Sequence, residues 1–87
     1  MEEQKIKQDG ICIGANIRRL RLEKRMGQTE LVRLVQLEGI PMTRECLVKI
    51  ERGVQHIQAT QLRAIRDALG VTYDALLEDN GPQKTAQ

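Results

Sequence analysis

Residues 43–53, TRECLVKIERG, are the most informative segment of the chain, because they mark both ends of a short helix. Thr43 suits the N-cap, since its hydroxyl can accept a hydrogen bond from a backbone amide of the first turn. Gly53 can end the helix, because glycine enters the left-handed conformation at little steric cost. Leu47 and Ile50, three residues apart, predict the buried side of the helix.

The other side of this helix is polar and varied. Helical spacing turns Arg44, Glu45, Val48 and Lys49 away from the buried stripe. A short capped helix with such a face, preceded by another helix and a turn, is typical of a DNA recognition helix. DNA binding is therefore the leading interpretation of this segment.

The whole chain has the composition of one small helical domain. Its 87 residues include a single aromatic residue, Tyr73, and the apolar set is almost entirely Leu, Ile, Val, Met and Ala. A chain of this length buries only a modest core, so a partner subunit is expected to help its stability. Strand-forming residues show no period-two runs. The predicted fold class is all-α, a compact bundle of five helices.

The apolar spacing and the helix-breaking residues predict where the five helices lie. They are expected over residues 14–25, 28–38, 44–52, 59–69 and 73–79. VQHIQ, residues 54–58, is interpreted as a connector. The bundle is expected to form one domain over residues 13–79, between a flexible arm (1–12) and a flexible tail (80–87).

Positive charge is concentrated in the middle of the chain. Residues 10–56 carry nine Lys and Arg against five Asp and Glu, a net charge of +4, whereas residues 1–9 and 57–87 each come to −1. A basic segment that coincides with the two-helix pattern is what a nucleic-acid-binding surface predicts. A solvated helix face that happens to be basic is the alternative explanation.

Other functional classes have little support in the sequence. His56 has no nucleophile or acid at motif spacing, and no glycine loop could cradle a phosphate, so neither an enzymatic activity nor a cofactor is expected. Cys12 and Cys46 lack the spacing of a metal site, and a disulfide is not expected in a chain of cytosolic character. Without a signal peptide or a membrane-spanning apolar run, the protein is expected in the cytoplasm, associated with the nucleoid and without a membrane partner.

Three segments taken together resemble the lambda-repressor-like, or Cro-type, helix-turn-helix domain of the XRE family. They are IGANIRRLRLEKRMGQTELV (13–32), TRECLVKIERG (43–53) and LRAIRDALGVTYDALL (62–77). The likeness covers about residues 13–79. Each piece is weak alone, and their order and spacing make the combination specific. The resemblance implies a sequence-specific regulator that binds double-stranded DNA, with residues 44–52 in the major groove.

The resemblance also implies roles for individual residues. Arg44, Glu45, Val48 and Lys49 occupy base-facing positions: Arg and Lys suit guanine, Glu can accept from cytosine N4, and Val48 could touch a thymine methyl. A phosphate contact is implied for Gln28, at the start of the second helix. Further candidates for contacts to the phosphate backbone, with ordinary surface side chains as the alternative, are Thr43, Arg18, Arg19, Arg33, Arg52 and His56. For Gln28 the alternative is an ordinary first-turn residue, and for His56 a solvated loop side chain.

Three further residues are assigned structural roles, two of them from the family pattern. Arg21 and Glu51 are expected to form an ion pair between the first and third helices, although two unrelated surface charges are the alternative. Cys46 is interpreted as a small apolar packing residue, with a redox switch as the alternative.

The sequence departs from the family pattern at four places. GIPM, residues 39–42, lengthens the connection before the third helix, which can shift that helix on DNA. Val32 replaces a small residue at a close approach between helices, implying a wider crossing. Gly27 stands where a hydroxyl cap is common, and Ile57 stands where a proline often begins the fourth helix.

The leading hypothesis is a bacterial or phage-type regulator, expected to be a repressor, that acts as a homodimer on a palindromic site. An antitoxin or adaptor that binds a toxin-like protein partner is the alternative on the same fold, since fold does not determine function. The fifth helix and the residues after it, including Tyr73, Leu76 and Leu77, are the expected dimer surface unless these three residues only close the core.

Overall fold

The computed structural model describes residues 5–6 and 12–78, and this part of the chain is mostly helical. The five helices are α1 (Ile13–Glu23), α2 (Gln28–Leu37), α3 (Arg44–Glu51), α4 (Ala59–Leu69) and α5 (Tyr73–Leu77). The expectation of an all-α bundle is confirmed. The expected arm and tail lie outside the described residues, apart from residues 5–6 and 12.

Apolar side chains from every helix meet in one core. α2 packs on α4, while α1 packs on α3 and α5. The largest side chains with less than 2% of their surface exposed are Ile13, Ile17, Leu31, Val35, Leu47, Ile50, Ile57, Ile65, Leu69 and Leu76. Burial of these side chains is the main favourable contribution to folding.

Leu76 was expected at the dimer surface, and its burial shows that this expectation is wrong for this residue. Its side chain is fully buried inside the single chain, because α5 lies on α1 and closes the core with it. Asn16 of α1, itself buried, holds this end of the chain by donating from Nδ2 to the carbonyls of Leu76 and Glu78, at 2.8 Å each. Tyr73 remains partly exposed and Leu77 is half-buried.

Four helices end in the same way, with a left-handed residue after the last turn. Gly39, Gly53 and Gly70 take this conformation after α2, α3 and α4, with φ values of 84°, 78° and 68°. Arg25 takes it after α1, with φ of 56°, and donates to Leu22 O while the next amide donates to Arg21 O. The predicted extension of α1 to residue 25 is therefore wrong, because this turn ends the helix at Glu23.

A short pairing of extended segments was not predicted. Strand β1 (Lys5–Ile6) pairs antiparallel with β2 (Ile57–Gln58), so part of the expected connector 54–58 is a strand. Strands of two residues are too short to produce an alternating pattern in the sequence. The pairing brings a segment from near the N-terminus against the start of α4.

A close approach between two helices lies at Gly14 of α1. A β-carbon at this position would lie 2.0 Å from the carbonyl oxygen of Ile50 in α3. Only glycine therefore allows α1 and α3 to approach this closely. From the sequence, a close approach between helices was expected at Val32, and this residue is buried in the core.

No helix in the described region combines the length and the apolar character needed to cross a membrane.

Candidate functional site

Helix α3 is fixed at its start and buried along one side. The Oγ1 atom of Thr43 accepts a hydrogen bond of 3.0 Å from the amide of Cys46, as an N-cap should. Leu47 and Ile50 are fully buried. The spacing of α3 in the sequence predicts both features.

The side of α3 that faces away from the core is the candidate site. Arg44, Glu45 and Lys49 are exposed and Val48 is half-buried, so these four residues form what we call the outer face. Arg52, the C-cap residue, is exposed beside it. The outer face thus combines long cationic side chains with one carboxylate and one small apolar side chain.

A buried ion pair joins α3 to α1. Arg21 donates from Nε to Glu51 Oε2 at 2.8 Å and from Nη2 to Glu51 Oε1 at 3.0 Å. Side-chain exposure is 7% for Arg21 and 2% for Glu51. Arg21 also donates from Nη1 to the carbonyl of Met26 at 2.9 Å. The pair is the one that the family resemblance implies, and its fork geometry fixes the angle of α3 relative to α1.

Gln28, the first residue of α2, belongs to the same network. Its Nε2 donates to Glu51 Oε1 at 3.1 Å, and its side chain is half-buried. The Glu51 carboxylate, near the end of α3, therefore contacts a residue near the end of α1 and a residue at the start of α2. The sequence had suggested a phosphate contact for Gln28 and gave no sign of the contact with Glu51, because the two residues lie 23 positions apart.

The cationic side chains proposed as DNA contacts differ in whether they already pair with a carboxylate of this chain. Arg19 pairs with Glu23 at 3.2 Å and lies 3.5 Å from Oδ1 of Asn16. In the part of the chain that the structure describes, no carboxylate lies within ion-pair distance of the exposed arginines and lysine proposed as DNA contacts: Arg18, Arg33, Arg44, Lys49 and Arg52. Exposed cations of this kind can meet an external anion without first breaking an internal pair.

Arg66 lies outside the candidate site and interacts with Asp67 and Tyr73. Its guanidinium donates to Asp67 and lies 4.5 Å from the centre of the Tyr73 ring. The hydrogen bond to Asp67 raises the pKa of Arg66 above its ordinary value. The cation over the Tyr73 ring stabilises the contact between α4 and α5.

Cys46 lies on α3, and His56 lies in the segment between α3 and β2. Cys46 is half-buried, and its sulfur accepts a hydrogen bond of 3.1 Å from Nε2 of Gln55. His56 is exposed and lines a cleft together with Gln55, Gln58 and Gln61. These three glutamines, which no sequence pattern indicated as a site, lie within seven residues of the chain around the start of α4.

Among the described residues, no group of three or more His, Cys, Asp or Glu side chains could hold a metal ion. The chain matches no known protein family, and neither a characterised protein nor a solved structure shows significant similarity to it.

Proposed function

We propose that this chain is a sequence-specific regulator of transcription that binds double-stranded DNA through a lambda-repressor-like helix-turn-helix formed by α2 and α3. The supporting observation is the outer face of α3. It presents Arg44 and Lys49 to solvent, with Arg52 beside them and no carboxylate within ion-pair distance among residues 12–78. The buried pair of Arg21 and Glu51 holds the helix that carries these side chains.

In the proposed complex, α3 lies in the major groove and reads base edges. Arg44 and Lys49 donate to guanine O6 or N7, and Val48 packs on a thymine methyl. Glu45 is exposed on the same face, where it repels phosphate and accepts from cytosine N4. A rigid helix is required for such contacts, because base discrimination depends on side chains held in a fixed register.

Phosphate contacts come from the residues around α3 and from the start of α2. Thr43, Arg18, Arg33, Arg52 and His56 are all exposed. Arg19 and Gln28 have internal partners, so each contributes through a donor hydrogen that its internal bond does not use. The free amides at the N-terminus of α2 add a positive partial charge there.

The protein acts as a homodimer, and its two half-sites lie about one helical turn apart or a multiple of it. The regulator is proposed to be a repressor in the cytoplasm, at the nucleoid. Of the three residues expected at the dimer surface, Tyr73 is exposed and Leu77 is half-buried, so these two remain available to a dimer contact, since Leu76 is buried.

Titration of the purified protein with a random-sequence DNA duplex at two salt concentrations tests this proposal. Binding that weakens steeply as salt rises is expected, because each phosphate contact releases counterions. The variant Arg18→Ala should weaken binding to every sequence alike. Absence of binding at low salt would contradict the proposal.

A protein-binding function is the second candidate. Glu45 on the outer face is unfavourable beside a phosphate backbone, and Leu37, with 76% of its surface exposed, offers an apolar contact at the end of α2. An antitoxin or adaptor would use such features to hold a toxin-like protein. A stoichiometric protein partner that copurifies with the chain and protects Leu37, combined with no DNA binding at low salt, would favour this function.

A further inference from the structure

The last turn of α3 ends in a geometry that also fixes the residue after it. Gly53 has a left-handed φ of 78°, and its amide donates to the carbonyl of Ile50 at 3.0 Å. The amide of the next residue, Val54, donates to the carbonyl of Lys49 at 3.0 Å. This pair of bonds is a common way to end a helix at a glycine. The backbone of Val54 therefore has a defined position relative to the outer face of α3.

This position puts Val54 beside residues of the outer face. A helix end of this kind brings the residue after the glycine toward the residues five and six positions before it. For Val54 these residues are Lys49 and Val48, and both belong to the outer face. Val54 nevertheless keeps 66% of its surface exposed. It therefore extends the outer face by one apolar side chain instead of adding to the core.

The chemistry of Val54 fits a base edge better than a phosphate. Single exposed apolar side chains are ordinary on protein surfaces, so the argument rests on where Val54 lies and not on its exposure alone. A valine side chain has no hydrogen-bond donor for a phosphate oxygen or for guanine. The apolar group that base edges present in the major groove is the C5 methyl of thymine. Contact between this methyl and Val54 would remove apolar surface of both from water.

We infer that Val54 is a further specificity-determining residue, which packs on the methyl of a thymine next to the base pair read by Lys49. The inference rests on the proposed DNA-binding function and extends base recognition past the end of α3. Two thymine contacts then come from different parts of the chain. Val48 makes one from within the helix, and Val54 makes the other from the connection that follows it.

Removal of single methyl groups from the DNA tests the inference. The preferred site is first selected from a random duplex pool with the wild-type protein, and its thymines are then replaced one at a time by deoxyuridine in both half-sites. At the thymine contacted by Val54, the wild type should lose about fourfold in affinity per half-site, the effect of one buried methyl group. Val54→Ala should bind the unmodified site more weakly by a similar factor or more, and it should no longer respond to that replacement.

Val48→Ala is the matched control, because it removes the same atoms from another position of the same face. This variant should keep its response to deoxyuridine at the thymine that Val54 contacts. Since most of the Val54 surface is exposed, Val54→Ala should fold as the wild type does. Thermal melting of both variants checks this.

Three results would overturn the inference. One is a selected motif without thymine, and another is a Val54→Ala variant that responds to every deoxyuridine as the wild type does. The third is equal weakening of Val54→Ala on preferred and scrambled duplexes, which would indicate a contact to the sugar–phosphate backbone. An unenriched pool has a different meaning, because it contradicts the proposed function itself and the inference with it.

Discussion

Glu51 accepts hydrogen bonds from Arg21 through both of its carboxylate oxygens, inside a contact between α1 and α3 that excludes most solvent. The same carboxylate accepts from Gln28. A buried charge of this kind is tolerated because it is paired and its lone pairs are used. The orientation of the outer face of α3 therefore depends on three side chains that do not belong to that face.

Breaking this ion pair on one side should strongly destabilise the fold. Arg21→Met leaves the Glu51 carboxylate buried without its cation, so we expect a loss of about 3–5 kcal/mol in the free energy of unfolding. Urea denaturation followed by circular dichroism measures the change.

The double variant Arg21→Met with Glu51→Leu is the control, because it removes both charges and fills the space with apolar atoms. It should recover most of the stability lost in Arg21→Met. If the double variant were as unstable as the sum of the two single variants, the pair would not be coupled in the way the structure indicates.

Gly14→Ala should disrupt the crossing of α1 and α3. The added methyl would lie 2.0 Å from the carbonyl oxygen of Ile50, which is backbone and cannot rotate away. We expect a loss of stability of about 1–3 kcal/mol or more, because the helices must move apart. A lowered melting temperature measures it.

Gly27→Ala provides the comparison for Gly14→Ala. Apart from its neighbours in the chain, no atom of the described residues lies within 4 Å of a β-carbon placed at Gly27, and its φ of −80° suits alanine. This variant should change stability by less than about 1 kcal/mol, the scale of an N-cap preference. Equal losses in the two variants would show that crowding by Ile50 does not explain the glycine at position 14.

Arg25→Gly should stabilise the protein. Arg25 has a left-handed φ of 56°, which costs a side-chain-bearing residue about 1–2 kcal/mol, whereas glycine adopts it without that cost. Part of the gain is offset by the greater freedom of glycine in the unfolded chain, so the expected net gain is about 0.5–1 kcal/mol. Arg25→Ala removes the same charge but keeps the strain, and it should not raise the melting temperature.

Some of these features could be predicted from the sequence and others could not. α4 lies over Ala59–Leu69 as predicted, because Leu62, Ile65 and Leu69 mark one face and Gly70 marks the end. The end of α1 was predicted wrongly, since an arginine in the left-handed conformation leaves no sequence signal comparable to glycine. Local patterns, then, defined the helices well.

Contacts between residues far apart in the chain could not be predicted from the sequence. The Gln28–Glu51 hydrogen bond joins residues 23 positions apart and arises only after the helices pack. The pairing of residues 5–6 with 57–58 is of the same kind. For the Arg21–Glu51 pair, the family resemblance supplied what local patterns could not.

Substitutions on the outer face of α3 should separate base contacts from phosphate contacts. Arg44→Ala and Lys49→Ala should each cost about 1–3 kcal/mol of binding to the preferred site and relax the preference at one base position. Arg18→Ala should weaken binding to all sequences about equally and reduce the salt dependence by one phosphate contact. Competition binding with preferred and scrambled duplexes measures both quantities.

Selection of a random duplex pool by the purified wild-type protein tests most directly whether α3 reads a DNA sequence. An enriched palindromic motif is expected, with half-sites about one helical turn apart or a multiple of it. The same motif should lose one base preference per half-site in Arg44→Ala. An unenriched pool, or a motif that Arg44→Ala and Lys49→Ala both leave unchanged, would contradict this function of α3.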